Sequence, residues 1–330
     1  MNYRVLSLFS GVGGIDLGFE NTGKFETILA NEIDSHAAVT YSLNFNNQLI
    51  EEDIREVGAK SLPDFDVLLS GFPCQAFSIA GYQKGFEDDR GDLFFETLRI
   101  IKEKRPRVIF LENVKNLVSH DNGNTFKVIQ EALRYHGYYI KYKVMNAKDY
   151  GNIPQNRERI YIVGFDNYDD YINFAFPEVV SLETSLSDII DFTSKLDESY
   201  YYTAEKHHYY SILKEQIISQ KSIYQWRRKY VRENKTGVIP TLTANMGTGG
   251  NNVPLILSDF GIRKLTPREC FNAQGFPEDF ILPDNMALSH LYKQAGNSVV
   301  VPVIERIANN IADAMEGILT DYSQLELFTF

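Results

Sequence analysis

Short apolar runs recur along the first half of the chain, and each ends in a glycine, an acid or an amide. Residues 5–9 (Val-Leu-Ser-Leu-Phe), 27–30, 49–50, 66–70 and 107–111 have the length and β-branched content of buried strands. Helical patterns separate them, running from Gly14 through Phe19 and over 35–44 and 93–104. This alternation predicts an open α/β sheet of mostly parallel strands, with helices packed on it. Such sheets bind ligands beyond the carboxyl ends of their strands. Further along, a helix over 126–135 and strands over 139–145 and 160–165 extend the pattern. After Pro177 it weakens, and Tyr-rich polar sequence to Asp259 reads as a smaller domain of irregular and β structure. Thr266 then suits a helix N-cap, with Pro267 at the first helical position and Cys270 on the apolar face. A last amphipathic helix follows Gly296-Asn297-Ser298 and runs to Met315.

The strand ends carry the groups with chemistry. Beyond the strand at 66–70 stands Gly71-Phe72-Pro73-Cys74-Gln75, which places a thiol at the ligand-binding edge. An isolated cysteine is more often a buried structural thiol. Residues 76–92, however, are too polar to bury it, so Cys74 reads as a nucleophile beside a mobile loop. The first strand ends in Ser10-Gly11-Val12-Gly13-Gly14, a glycine-rich turn entering a helix, where a backbone can approach a cofactor. Asp16 occupies the third glycine position of a dinucleotide fingerprint, which counts against NAD or FAD. Glu32, eighteen residues after Gly14, stands where a ribose diol is met in such folds, and Asp53-Ile54 follows the third strand to bracket an adenine. Glu112-Asn113-Val114 is expected just past the strand at 107–111, where burial beside Val-Ile-Phe-Leu favours a protonated Glu112. Gln155, Arg157 and Arg159 alternate and are expected to converge on one side.

The net charge of −11 argues against a nucleic-acid partner unless the cations are concentrated. They are: Arg227, Arg228, Lys229, Arg232 and Lys235 share one short stretch with Tyr224, Trp226 and Tyr230. Two distant cysteines, no secretory pattern and no apolar stretch of spanning length predict a cytoplasmic protein with no membrane association. The six histidines form no cluster of metal-ligand spacing, so no metal is expected.

In this order the motifs resemble the DNA (cytosine-5) methyltransferases, above all the single-chain bacterial enzymes of restriction–modification systems. The resemblance rests on Phe9-Ser-Gly-Val-Gly-Gly14, Asn31-Glu32, Asp53-Ile54, Gly71-Phe-Pro-Cys-Gln75, Glu112-Asn-Val114, Gln155-Asn-Arg-Glu-Arg159, Arg263 to Cys270 and Gly296-Asn-Ser-Val299. It implies an α/β fold: a Rossmann-like, S-adenosylmethionine-dependent methyltransferase mixed sheet with helices on both faces. A smaller, mostly irregular and β target-recognition domain would accompany it. The large domain would be discontinuous (1–187 and 293–330), with 188–292 as the small domain and hinge. The C-terminal helix would return beside the first strand.

The resemblance also implies chemistry. Cys74 attacks C6 of a flipped cytosine, C5 takes the methyl group, and S-adenosylhomocysteine leaves. Glu112 would meet N3 and the exocyclic amine, Asn113 would orient that loop, and Arg157 and Arg159 would stabilise the base carbonyl or a phosphate. S-adenosylmethionine would contact Phe9, Gly11, Val12, Gly13, Gly14, Glu32, Ile33, Asp53, Ile54, Pro73, Asn297 and Ser298. Gln75, Ser78, Arg90, Arg227, Arg228, Arg232, Lys235, Thr241 and Thr243 would face double-stranded DNA. A monomer paired functionally with a cognate restriction endonuclease is implied. A tRNA-directed branch of the same chemistry carries a Cys-Phe-Thr signature absent here. A non-catalytic DNA-binding relative would not need Cys74, Glu112 and Arg159 together, and the glycine spacing fails a Rossmann oxidoreductase.

Overall fold

The computed structural model describes residues 2–73, 93–247 and 253–318. Cys74, Gln75, Ser78 and Arg90 lie outside the described residues, as do residues 248–250 of the glycine-rich run. The chain divides into two compact units, one of Met1–Met145, Glu158–Glu178 and Val303–Phe330, the other of Asn146–Arg157 and Val179–Pro302. The second unit thus takes in stretches on both sides of the 188–292 segment expected from sequence. Backbone pairing explains this: Gln155 and Asn156 pair with Ile239 and Pro240, and Val301 N donates to Gln274 O.

In chain order the elements begin with β1 (Tyr3–Leu8), α1 (Gly14–Glu20), β2 (Phe25–Asn31), α2 (Ser35–Asn44), β3 (Gln48–Ile50), β4 (Val67–Ser70) and α3 (Leu93–Lys104). They continue with β5 (Val108–Val114), α4 (Asn124–Tyr135), β6 (Tyr139–Asn146), α5 (Ala147–Tyr150), β7 (Gln155–Asn156), β8 (Glu158–Phe165) and α6 (Tyr168–Asn173). The seven-stranded sheet runs in the order β3-β2-β1-β4-β5-β8-β6. β1 to β5 pair in parallel, and β8 runs antiparallel to β5. Strand order reverses between β1 and β4, which opens a crevice at their carboxyl ends.

Period-two alternation divides the core between the two faces of this sheet. Leu6, Leu8, Leu68, Ile109 and Leu111 pack with Leu98 and Ile101 of α3 and Ile129 and Leu133 of α4. The intervening residues turn the other way, toward α1: Ser7 meets Asp16, and Phe110 meets the Phe19 ring edge-on at 5.2 Å. β5 is longer than its apolar run. β8 pairs with it as far as Arg159 opposite Val114, so Glu112 and Asn113 lie within the ladder rather than beyond its end.

The second unit holds α7 (Tyr210–Gln216) and an antiparallel sheet of order β10-β9-β12-β13. Its strands are β9 (Ile223–Trp226), β10 (Val231–Asn234), β12 (Leu255–Ser258) and β13 (Gly261–Lys264); the short β11 (Ile239–Pro240) pairs with β7. Then come α8 (Pro267–Asn272) and α9 (Leu288–Asn297). Thr266 caps α8 through a reciprocal box with Glu269, as its sequence predicts. Glu269 also binds fully buried Arg263 at 2.6 Å, and Cys270 is buried in the core. The last helix, α10 (Val301–Met315), contributes to the first unit beside α1, where Asn21 donates to Glu305 and Lys24 pairs with Glu316 at 2.7 Å.

Candidate active site

The turn after β1 is held in a shape few sequences allow. Phe9, Gly11 and Gly13 all have positive φ (54°, 58° and 84°), and the turn is tied internally, with Ser10 N donating to Asn31 O at 3.0 Å and Gly13 N to Ser10 O at 2.8 Å. Gly11 N donates to Glu32 Oε2 at 2.8 Å, and Asp34 N donates to Oε1 at 2.7 Å. Glu32 is therefore first a brace for the turn. A carboxylate has further lone pairs, so its remaining capacity can still reach a diol. Gly13 permits no side chain, since a Cβ there would lie 2.1 Å from the Phe45 ring. That ring stacks on Tyr41 at 4.5 Å, and Tyr41 donates its hydroxyl to Asp16 Oδ1 at 2.9 Å.

Asp16 is the residue whose role sequence reading missed. Fully buried, it also accepts from Ser7 Oγ at 3.0 Å, and burial pushes its carboxyl up to about 7 from the usual 3.8. A raised carboxyl pKa means that the folded state holds its proton after the unfolded chain has lost it. The contribution of Asp16 to stability should therefore fall as pH rises from about 4 to about 7 and stay constant above. Urea unfolding at pH 5 and pH 8 checks this. Asp16→Asn should gain on the wild type at the higher pH, and a difference independent of pH would contradict the reading.

The neighbouring strand ends are arranged unevenly. Ile33 is 63% exposed and offers an apolar surface, whereas Ile54 is buried. Asp53 is clamped by the Arg55 guanidinium, which holds its carboxyl down at about 2. Asn31 donates to Ile50 O and Glu52 O at 3.0 and 2.8 Å, stitching the end of β2 to the chain leaving β3.

At the crevice side of β4 and β5 three expected residues do meet. Asn113 Nδ2 donates to Phe72 O at 2.8 Å and so fixes the backbone two residues before Cys74. Arg159 Nε lies 3.1 Å from Glu112 Oε1, and both side chains are largely buried. A methyl group on Gly71 would lie 4.0 Å from Glu112 Oε2 and 3.9 Å from Phe9 O, so the glycine turn, the approach to Cys74 and the carboxylate are immediate neighbours. Register explains the pair: Glu112 opposes Tyr161 and Val114 opposes Arg159, which makes Glu112 and Arg159 diagonal partners across the ladder.

Arg157 does not join them. It belongs to the second unit, is 3% exposed, and donates to Leu242 O at 2.9 Å, Gly296 O at 3.2 Å and Ser298 O. Gln155 is likewise turned inward, donating to Ala273 O. The expected convergence of Gln155, Arg157 and Arg159 fails because the chain changes ladder at Arg157, from β7 to β8. Gly296 is packed so tightly that a Cβ would come 2.1 Å from the Thr243 backbone. Asn297 ends α9, and Ser298 Oγ is buried without a hydrogen-bond partner among the described residues.

The basic cluster separates by position. Arg227, Arg232, Thr241 and Thr243 line a cleft of about 850 Å³ in the second unit, together with Lys148, Gln225 and Asn234. Arg228 sits at φ 66° in the β9–β10 turn, and Lys235 lies 3.6 Å from Glu233; neither lines the cleft. Thr241 donates to Asn156 O at 2.6 Å.

A family model described as C-5 cytosine-specific DNA methylase matches residues 3–313. The chain belongs to that family. The methylase is 67% identical over 313 residues to the Type II methyltransferase M.Bsp6I of Bacillus sp. (strain RFL6), covering 94% of this chain and 99% of that one. It is 41% identical over 330 residues to the Type II methyltransferase M.HhaI of Haemophilus parahaemolyticus, covering 94% and 95%. The Dnmt2 methyltransferase of S. pombe shares the fold, with a TM-score of 0.72 over the whole of both chains at 21% identity. Among the described residues no helix of the methylase is long and apolar enough to cross a membrane, and no group of three His, Cys, Asp or Glu side chains is placed to hold a metal.

Proposed function

We propose that this methylase transfers a methyl group from S-adenosylmethionine to C5 of a cytosine flipped out of double-stranded DNA, through a covalent bond from Cys74 to C6. The observation that carries this reading is the Glu112–Arg159 pair beside Gly71, with Asn113 holding the chain that leads to Cys74. C5 of cytosine is a weak nucleophile, and a thiolate added at C6 moves electron density onto it. At an ordinary thiol pKa about 3% of Cys74 is ionised at pH 7, so help at the ring matters. Glu112 would hydrogen-bond N3 and the exocyclic amine as charge builds, which selects cytosine over thymine. Arg159 would anchor Glu112 and face the base carbonyl. Loss of the C5 proton to a base and expulsion of Cys74 then complete the cycle. A stacked base cannot reach such a site, so the cytosine leaves the duplex.

The cofactor, when bound, supplies an electrophilic methyl group on a sulfonium. The residues present fit it: the Glu32 carboxylate, whose oxygens keep spare lone pairs beyond Gly11 N and Asp34 N, and the exposed apolar Ile33 suit the ribose and base of a nucleoside. By the same reading the methylase works in the cytoplasm as a monomer, protects host DNA and is paired with a restriction endonuclease.

The deciding experiment gives tritium-labelled S-adenosylmethionine and mixed double-stranded DNA to the wild type and to Cys74→Ser, followed by base-resolved sequencing. Label at cytosine C5 within one short motif, absent with Cys74→Ser, is expected. Label on tRNA instead, or on neither nucleic acid, would overturn the proposal.

A further inference from the structure

We infer that the β9–β10 hairpin of this methylase is its base reader, with Arg232 taking the major-groove edge of a guanine and Gln225 an adjacent base edge. The inference rests on the DNA-methylating function proposed above and deepens it. The two faces of the hairpin are unalike. Tyr224, Trp226 and Val231 turn inward on Leu213, Ile217, Leu255 and Ile262, and Tyr209 stacks on Trp226 at 4.6 Å. That packing fixes the ribbon. The alternate residues Gln225, Arg227, Arg232 and Asn234 all line the 850 Å³ cleft.

Several features mark this cleft as a recognition surface rather than a solvated face. Among the described residues its lining includes Arg227 and Arg232, with Lys148 paired to Asp149 at 2.6 Å, and no lining residue is a carboxylate, on a chain with a net charge of −11. Among the described residues the side chains of Gln225, Arg227 and Arg232 have no hydrogen-bond or ion-pair partner, whereas Lys235 is already paired with Glu233. Arg232 stands directly opposite Gln225 in the antiparallel register, so the two head groups project side by side.

The residue types separate base reading from phosphate binding. A phosphate asks only for positive charge and donors. Gln225, Asn234, Thr241 and Thr243 present acceptors as well as donors, which is the vocabulary of base edges. A two-stranded ribbon fits the major groove, where a guanidinium fork matches guanine O6 and N7. Position decides between the two arginines. Arg227 opens the turn, its N donating to Tyr230 O at 2.9 Å, and at the ribbon's tip it suits a phosphate. Arg232 lies within the strand pair, where its direction is set.

The test methylates a pool of duplexes randomised around a central cytosine, using the wild type, Arg232→Ala, Arg232→Lys and Arg227→Ala, and reads every methylated site by sequencing. The wild-type motif should contain a required guanine besides the one paired with the target cytosine. Both Arg232 variants should lose preference for guanine at that position by about ten-fold or more, since a lysine keeps the charge but not the fork. Arg227→Ala should keep the motif and lower methylation of all sequences alike, with a weaker dependence on salt. Unfolding midpoints equal to the wild type verify that each variant is folded. A motif without such a guanine, or an Arg232→Ala variant that loses rate uniformly with its motif intact, would overturn the assignment. Failure of the wild type to methylate any DNA would instead reject the function on which it rests.

Discussion

Arg157→Met is expected to unfold the second unit far more easily than the wild type, and to do so before any catalytic effect can be measured. The guanidinium is almost wholly buried and serves three carbonyl groups from two distant stretches, Leu242 on one and Gly296 and Ser298 on the other. Each buried acceptor left without a donor costs about 1–3 kcal/mol, so the loss should be roughly 3–6 kcal/mol after some rehydration. Lysine should restore only part of it, because one ammonium cannot reproduce a planar fork that reaches both stretches. Urea denaturation of wild type, Arg157→Met and Arg157→Lys measures this directly. A variant as stable as the wild type but unable to methylate would return Arg157 to the reacting base.

The contrast between Arg157 and Arg159 shows what one sequence can disclose. Both stand in one alternating run, and nothing in Gln155-Asn-Arg-Glu-Arg159 marks the point where the chain passes from one ladder to another. That transition depends on Ile239 and Pro240, more than eighty residues away. Local signals were legible. The strand ends from Phe9 to Gly71 and the Thr266–Glu269 box follow from short-range sterics and capping, and the structure has them. α7 and α9 start without a side-chain cap, so no local start signal announces either helix. Asp16 is the instructive case: its departure from the dinucleotide spacing was visible, but its burial against Ser7 and Tyr41 is a tertiary fact. Likewise, the basic cluster was evident as composition, but only strand pairing divides it into cleft-lining Arg227 and Arg232 and outlying Arg228 and Lys235.

Glu112→Gln is expected to lower single-turnover methyl transfer by about 10²–10³-fold, the range seen when a donor or acid aimed at developing charge is removed. Glutamine keeps the shape and can still meet an exocyclic amine, but it cannot take up a proton and pass it to N3 as charge builds on the ring. The substitution also strips Arg159 of its carboxylate neighbour at 3.1 Å in a largely buried setting, so a modest loss of stability should accompany the kinetic one. The two effects separate by measurement. Cofactor affinity and DNA affinity should stay close to wild type, while the rate of the chemical step falls. Arg159→Met should lower the same step. If the two side chains act as one unit on the base, the double variant should be little slower than the slower single variant. Fully multiplicative losses would mean that Glu112 and Arg159 serve separate steps, and that their contact across β5 and β8 holds the sheet rather than the cytosine.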